Sequence, residues 1–545
     1  MRGKWSGFGL GLVLLILLHL SSQGALSSGA IDVPESQELG GHCDVVPLDR
    51  YVKQAPEQNS SDYYVGAVVE FAPTTISGNG PATLKANTEA YIKYIEDASQ
   101  QGADIIVFPE DGLTSVTMPD KSLMKPWSTA IPSALDEYVP CTGNREDVSD
   151  TLRMVSCAAK ENRIYVVINI AERKSDSNND THYYNTNAVF DRTGKIIARY
   201  RKVNLFNEHP PFDVTETPEI VTFDTDFGVK FGTFICFDIL FHVPALNLTR
   251  IEGVTNFVYP VAWGSELPFL TALEMQFGWS FSENVNLLAA GYHGTESGHM
   301  GSGIYLGRRG IANVSFSHHP DRKLLISRIP KTPGSARKLD EGVKLEMEKE
   351  KEEKIDLLNA RRDPPYHGTG RVEGIQGMIM FLDNIEAFNT VLLNGSMSSS
   401  VCHRDFCCAF DIETASTDSS SNYRAVVYNG FRMYGQQMEA GTRVCGLVQC
   451  SNDSVVSCSS VQPSNTVFTS LKIKATFDDY PQLLVIPTLM DSTLFPFKHW
   501  TYTTDTHGQH TAVTLALNKP NKDIVSFAIY ARDFSVDYWK QLHES

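Results

Sequence analysis

Three runs of strand-forming residues each deliver a reactive side chain at their end. Ile105-Ile106-Val107-Phe108-Pro109 is followed by Glu110, Lys195-Ile196-Ile197-Ala198-Arg199-Tyr200 leads to Lys202, and the mostly apolar run 231–235 stops at Cys236-Phe237-Asp238. Strands this apolar belong in a sheet covered on both faces, which confines the chain to a layered fold. Helical segments alternate with them. Leu84, Tyr91, Ile92, Ile95 and Ala98 share one face over 84–101, the period of a helix lying on a sheet. A second helix is expected over 151–160 and further strands over 64–69, 164–170, 256–259 and 287–290. Asp191-Arg192-Thr193-Gly194 reads as a hairpin turn. Hairpins mixed with crossovers predict an α/β sandwich over residues 63–335.

The character of the chain changes after that. Glu346-Met347-Glu348-Lys349-Glu350-Lys351-Glu352-Glu353-Lys354 lies in a mixed-charge stretch that reads as a solvated linker over 336–370. Beyond it, strand-like runs at 426–428, 444–448, 471–477 and 525–530 predict a smaller β-rich domain over 371–545 with a core of its own. Six of the ten cysteines sit there: Cys402, Cys407, Cys408, Cys445, Cys450 and Cys458. Their irregular spacing argues against a zinc site with His403, and no metal is expected. Three disulfides are the simpler reading, with about 15 connectivities open. Cys141 and Cys157 flank a helix-like segment and are expected to pair, which leaves Cys236 and Cys43 without obvious partners.

Compartment follows from the N-terminus. Arg2 and Lys4 precede an apolar run over 10–20 and then small residues, the pattern of a signal peptide over 1–25, with a segment 26–62 before the first domain. The apolar run is short for a membrane span. The sequons at Asn59, Asn179, Asn247, Asn313, Asn394 and Asn452 agree with secretory passage. The final residues carry no hydrophobic tail, so no stable membrane anchor is expected and the protein reads as secreted and extracellular. A net charge of −17 makes nucleic acid an unsuitable partner. Oligomeric state leaves no mark in the sequence.

A thiol, a carboxylate and an ammonium at neighbouring strand ends form a set for covalent amide hydrolysis. A free thiol titrates near ~8.5 and needs a base to become a nucleophile. Glu110 is the candidate base and acid, Cys236 the nucleophile, and Lys202 the oxyanion stabiliser that also favours the thiolate; the Phe237 amide is a second oxyanion donor. Singly these residues have plain readings: a core thiol, a helix cap, a surface charge. Together, each just past a strand, they favour an enzyme of covalent amide hydrolysis. Asp238 reads as a turn residue, His318-His319 as part of a hairpin turn, and Tyr184, Asn185 and Asn187 as buttresses of the Glu110 and Lys202 strands.

Phe108-Pro109-Glu110-Asp111-Gly112, Tyr200-Arg201-Lys202-Val203-Asn204-Leu205 and Phe234-Ile235-Cys236-Phe237-Asp238-Ile239 resemble the Glu, Lys and Cys signatures of the nitrilase superfamily. Pro260-Val261-Ala262-Trp263, Leu267-Pro268, Gly301-Ser302-Gly303-Ile304 and the Cys402/Cys407-Cys408 pattern resemble its vanin and biotinidase branch. The resemblance implies a nitrilase-type αββα sandwich, a smaller β-rich base domain and hydrolysis of a small-molecule linear amide through a thioacyl-enzyme, with no cofactor. The substrate it implies first is pantetheine, cleaved to pantothenate and cysteamine; the alternative is biocytin or biotinyl peptides. A reading of another class is a non-catalytic secreted binding module. Glu208 resembles a second active-site glutamate, and Trp263 and Glu266 lie on a loop expected to shape the substrate pocket.

Overall fold

Each expected strand and helix of the first domain forms, and the pattern of burial explains why they layer. The computed structural model describes residues 62–539 except 216, 320–322, 334–364, 369, 376, 418–420 and 436–437. The expected signal peptide, Cys43, the Asn59 sequon and most of the charged linker lie outside the described residues. In chain order the strands of the first domain are β1 (Tyr63–Glu70), β2 (Ile105–Val107), β3 (Tyr165–Ser175), β4 (Thr181–Phe190), β5 (Ile196–Arg201), β6 (Thr222–Asp224), β7 (Lys230–Thr233), β8 (Asn256–Val261), β9 (Glu266–Leu267), β10 (Asn286–Gly291), β11 (Ser302–Leu306), β12 (Ile311–Ser315) and β13 (Lys323–Pro330). Its helices are α1 (Gly80–Gln100), α2 (Asp150–Asn162), α3 (Asn247–Arg250) and α4 (Ala272–Glu283).

Two six-stranded sheets result, ordered β13-β1-β2-β3-β4-β5 and β12-β11-β10-β8-β7-β6. Alternation along the strands fixes what each face meets. Ile105 and Val107 of β2 pack with Val167, Phe231, Val258 and Leu288 between the sheets. Ile106 points the other way, into a layer with Tyr91 and Ile95 of α1 and Leu152 and Val155 of α2. Removing a side chain such as Ile106 down to Ala would cost about 2–5 kcal/mol. The helices start where the sequence caps them: Asn79 accepts from the Ala82 amide and Ser149 from the Leu152 amide. The turn between β4 and β5 is built by Asp191, whose carboxylate accepts from the Thr193 and Lys195 amides. Gly194 is required there: its φ is 79°, and a Cβ would lie 2.4 Å from the Ser156 carbonyl.

The β-rich domain contains two five-stranded sheets. One runs Asn389–Leu392, Asn422–Tyr434, Met438–Cys450, Ile524–Trp539, Leu484–Asp491, the other Met397–His403, Phe406–Ser416, Val467–Phe477, His510–Leu517, Trp500–His507. The six clustered cysteines form Cys402–Cys407, Cys408–Cys445 and Cys450–Cys458, and Cys141 pairs with Cys157. Cys408–Cys445 ties one sheet to the other.

Two separate cores were expected; the structure differs. Residues of the second sheet, α4 and the β-rich domain share one continuous apolar cluster that includes Phe234, Trp279, Ile486 and Phe527. The reason is α4, which is buried nearly all round because one side packs on its sheet and the other on the strand Leu484–Asp491. A Cβ on Gly278 would come within 2.7 Å of the Pro487 carbonyl, so the backbones meet closely. Polar groups cross the same boundary. Ser526 donates to Glu274 at 2.6 Å, and Arg250, paired with Glu283, donates to the Pro481 and Leu483 carbonyls at 3.0 and 3.1 Å. β9 also joins the two, pairing parallel with Met378–Leu382.

Candidate active site

Glu110, Lys202 and Cys236 meet at the ends of their strands. Glu110 lies just past β2 and is 2 % exposed. Its Oε1 accepts from Lys202 Nζ at 2.7 Å and from Asn185 Nδ2 at 2.9 Å, while Oε2 accepts from the Ala262 amide at 2.9 Å. Lys202 follows β5, its amide bonded to the Asn185 carbonyl at 2.8 Å. Its ammonium also donates to Glu208, whose other oxygen accepts from Asn185 at 2.8 Å. Glu208 therefore belongs to the cluster.

Cys236 is held with a φ of 45°, a left-handed conformation that costs a non-glycine residue about 1–3 kcal/mol and persists where the surroundings impose it. Asp238 imposes it here. Its carboxylate accepts from the Ile235 amide at 3.0 Å, Tyr200 Oη at 2.6 Å, and the Asn204 amide and side chain at 2.9 and 2.8 Å. Tyr259 Oη donates to the Cys236 carbonyl at 2.7 Å. The thiol points toward the Ala262 carbonyl at 3.6 Å. One residue, Ala262, thus binds Glu110 through its N–H and Cys236 through its C=O. Phe237 is the second residue of the 3-10 turn Cys236–Leu240, where amides precede the first bond closed within the turn.

Burial and charge act against each other at the sulfur. Burial, and then the Glu110 carboxylate, push the Cys236 thiol well above its ordinary pKa, and the opposing pull of Lys202 is smaller. The shift favours the protonated sulfur, since a thiolate would add a further negative charge to the Glu110 and Glu208 carboxyls that already share one ammonium. Burial works against the Lys202 ammonium, but Glu110, Glu208 and Cys236 outweigh it and hold its pKa well above the usual lysine value. Burial raises Glu208, with Lys202 opposing and Glu110 adding. Asp111 is raised well above the carboxylate range by burial, then by Glu110 and Glu208, against Lys202.

Asn169 was not anticipated. It donates to Asn185 at 2.6 Å and accepts from the Asp111 amide at 3.0 Å, and Asn187 in the same group reaches Thr233 of β7 at 2.9 Å. An asparagine inside the apolar run of β3 was the available signal. Asp111 was passed over too; its φ of 54° is the second left-handed residue of the site.

Trp263 is buried, and its indole donates to the Leu270 carbonyl at 2.8 Å. Glu266 lines a cavity of about 230 Å³ and is engaged by Arg432 from the β-rich domain, a partner 166 positions away. Asn179, Asn394 and Asn452 are exposed. Asn247 and Asn313 are only half-exposed; Thr249 of the Asn247 sequon is buried and bonded to Glu283, and Asn313 Nδ2 is directed at the Ile326 carbonyl.

Comparison with known proteins agrees with this architecture. A carbon-nitrogen hydrolase domain is recognised over residues 67–265 and a vanin C-terminal domain over 379–537. The chain is 33 % identical to Vanin-like protein 1 of Drosophila melanogaster over 86 % of each chain, and 34 % identical to Vanin-like protein 3 of the same organism over 87 % of this chain and 89 % of the other. It is 31 % identical to the pantetheinase of Homo sapiens, covering 74 % of this chain and 76 % of that one. The two sheets with their helix layers are the nitrilase fold, and a disulfide-bonded β-rich domain follows. The chain belongs to the vanin family of carbon-nitrogen hydrolases, enzymes that act on carbon-nitrogen bonds other than peptide bonds.

Proposed function

We propose that this protein hydrolyses pantetheine to pantothenate and cysteamine through a thioacyl-enzyme on Cys236. The observation that carries the reading is the convergence of Cys236 and Lys202 on Glu110, with Ala262 binding both nucleophile and base. Relatives named pantetheinase, 31 % and 32 % identical over 74 % of this chain, support the substrate.

The steps follow from the charges. With the sulfur protonated at rest, attack on the amide carbon and transfer of the thiol proton to Glu110 occur together. The carbonyl oxygen becomes an oxyanion beside the Lys202 ammonium and the Phe237 amide. Collapse breaks the C–N bond, and Glu110 returns the proton to the departing amine. Water then gives a proton to Glu110 and attacks the thioester, and the acid leaves as Cys236 recovers its proton. Lys202 keeps its charge throughout, because Glu208 still holds it while Glu110 carries the proton.

The reading includes secretion into an extracellular space, supported by the leader-like N-terminus and four disulfides. Purified protein should release cysteamine from pantetheine in preference to lysine from biocytin, and the Cys236→Ala variant should release neither. A preference for biocytin would overturn the substrate, and activity retained in the variant would overturn the nucleophile.

A further inference from the structure

The cavity beside Glu266 opens where the first domain meets the β-rich domain, and three aromatic rings wall it: Phe206, Phe381 and Tyr434. Each is tied to the catalytic cluster. Phe206 stands two residues before Glu208, and its ring lies 5.0 Å from that of Phe237. Tyr434 meets Phe237 at 5.1 Å. Phe381 covers Gly264, two residues past Ala262, where a Cβ would lie 2.9 Å from the ring.

Arg432 is buried in this wall and only partly used. Its Nε donates to Asp383 at 3.2 Å and its Nη2 to Glu266 Oε1. Arg432 Nη1 and Glu266 Oε2 have no hydrogen-bond partner among the described residues. The cavity wall therefore offers a guanidinium donor and a carboxyl oxygen beside aromatic faces. Burial raises the Glu266 carboxyl to about 7 with Arg432 opposing, so one guanidinium stands against Asp383 and a partly protonated Glu266; the charges nearly balance and favour neither an anion nor a cation. An uncharged group that both donates and accepts is what remains.

We propose that this cavity holds the distal end of the acyl group, an uncharged moiety presenting a hydrogen-bond donor and an acceptor, and that Arg432 is a specificity-determining residue supplied by the β-rich domain. The proposal rests on the amide-hydrolase reading above. Two sources share this chemistry: the hydroxyl groups at the acyl end of pantetheine and the ureido ring of biocytin. Either ligand would lay its scissile amide toward Cys236 and its far end between Phe206 and Arg432.

The test measures kcat/KM on pantetheine, biocytin and N-propionylcysteamine, which keeps the scissile amide of pantetheine but lacks its distal hydroxyls. The intact protein is compared with Arg432→Lys and Phe206→Ala. The Phe206 ring is 43 % exposed, so its loss leaves folding intact even if the buried arginine cannot be replaced. Expected is a drop of about 10-fold or more on pantetheine, mostly in KM, with the propionyl amide unchanged. The same loss confined to biocytin would keep the cavity and assign it to the ureido ring. An equal loss on the short amide, or none on any substrate, overturns the proposal. Calorimetric binding of pantetheine and biocytin to Cys236→Ala protein, with and without Phe206→Ala, separates the two readings. If the intact protein cleaves neither amide, the function fails, while binding weakened by Phe206→Ala would still support the cavity; binding of neither ligand sinks it as well.

Discussion

Glu110 and Lys202 are joined by a 2.7 Å bond from Nζ to Oε1 with both side chains almost sealed from solvent. The carboxylate beside the thiol is, after burial, the largest effect opposing ionisation of the sulfur. A Glu110→Gln variant should lose turnover by about 10³-fold or more, since proton transfer has no other route. Its thiol should nevertheless alkylate faster than wild type at pH 8, because the negative charge that raises the Cys236 pKa, second only to burial, is gone. Iodoacetamide rates against pH decide this; an unchanged or slower rate would show that Glu110 is not what restrains the sulfur.

Replacing Cys236 with Ala removes the nucleophile from a site that does not rely on it for packing. Turnover should fall by at least about 10³-fold. The melting temperature should hold, because Asp238 and Tyr259 fix the turn through backbone and neighbouring groups rather than through the sulfur. A large drop in melting temperature would contradict that account of the turn.

Glu274 makes stability depend on pH. Burial raises its pKa to about 7, with the Ser526 hydroxyl and Thr271 opposing. Between an unfolded value of about 4.5 and a folded value of about 7, the folded chain binds more protons than the unfolded one. Stability contributed by this group is thus complete at low pH and lost as pH rises through that window, about 3 kcal/mol in all. Glu274→Gln should flatten the fall and unfold at higher temperature than wild type at pH 8. Parallel melting curves for the two proteins from pH 5 to 8 would be the contrary result.

The Cys408–Cys445 bridge closes a loop of 37 positions between two sheets. Replacing both cysteines with Ala should cost about 4 kcal/mol, and the same change at Cys402 and Cys407, separated by 5, about half that. Denaturant midpoints compare them; equal losses would rule out loop length as the cause.

Much of this site was readable because the fold places functional groups at strand ends, and strand ends are local. The runs before Glu110, Lys202 and Cys236 are short, apolar and unambiguous. Asn185 was taken for a buttress and is one, but its bonds to both glutamates depend on a register between β3, β4 and β5 that periodicity does not fix. Arg432 was out of reach altogether. Nothing near Glu266 in sequence announces a guanidinium from another domain, and nothing in Trp263 distinguishes an indole sealed in the core from one facing a ligand. Asp111 and Cys236 share a left-handed backbone that side-chain identity alone conceals.

Helix α4, enclosed on both sides, limits how this enzyme can be rearranged. A catalytic half transplanted without its β-rich companion would present Phe277, Phe281 and the buried Arg250–Glu283 pair to water, and would be expected to clump rather than work. New substrate ranges in such a lineage must therefore arise by drift within the joined whole. Grafting one half onto a foreign neighbour is not an open route.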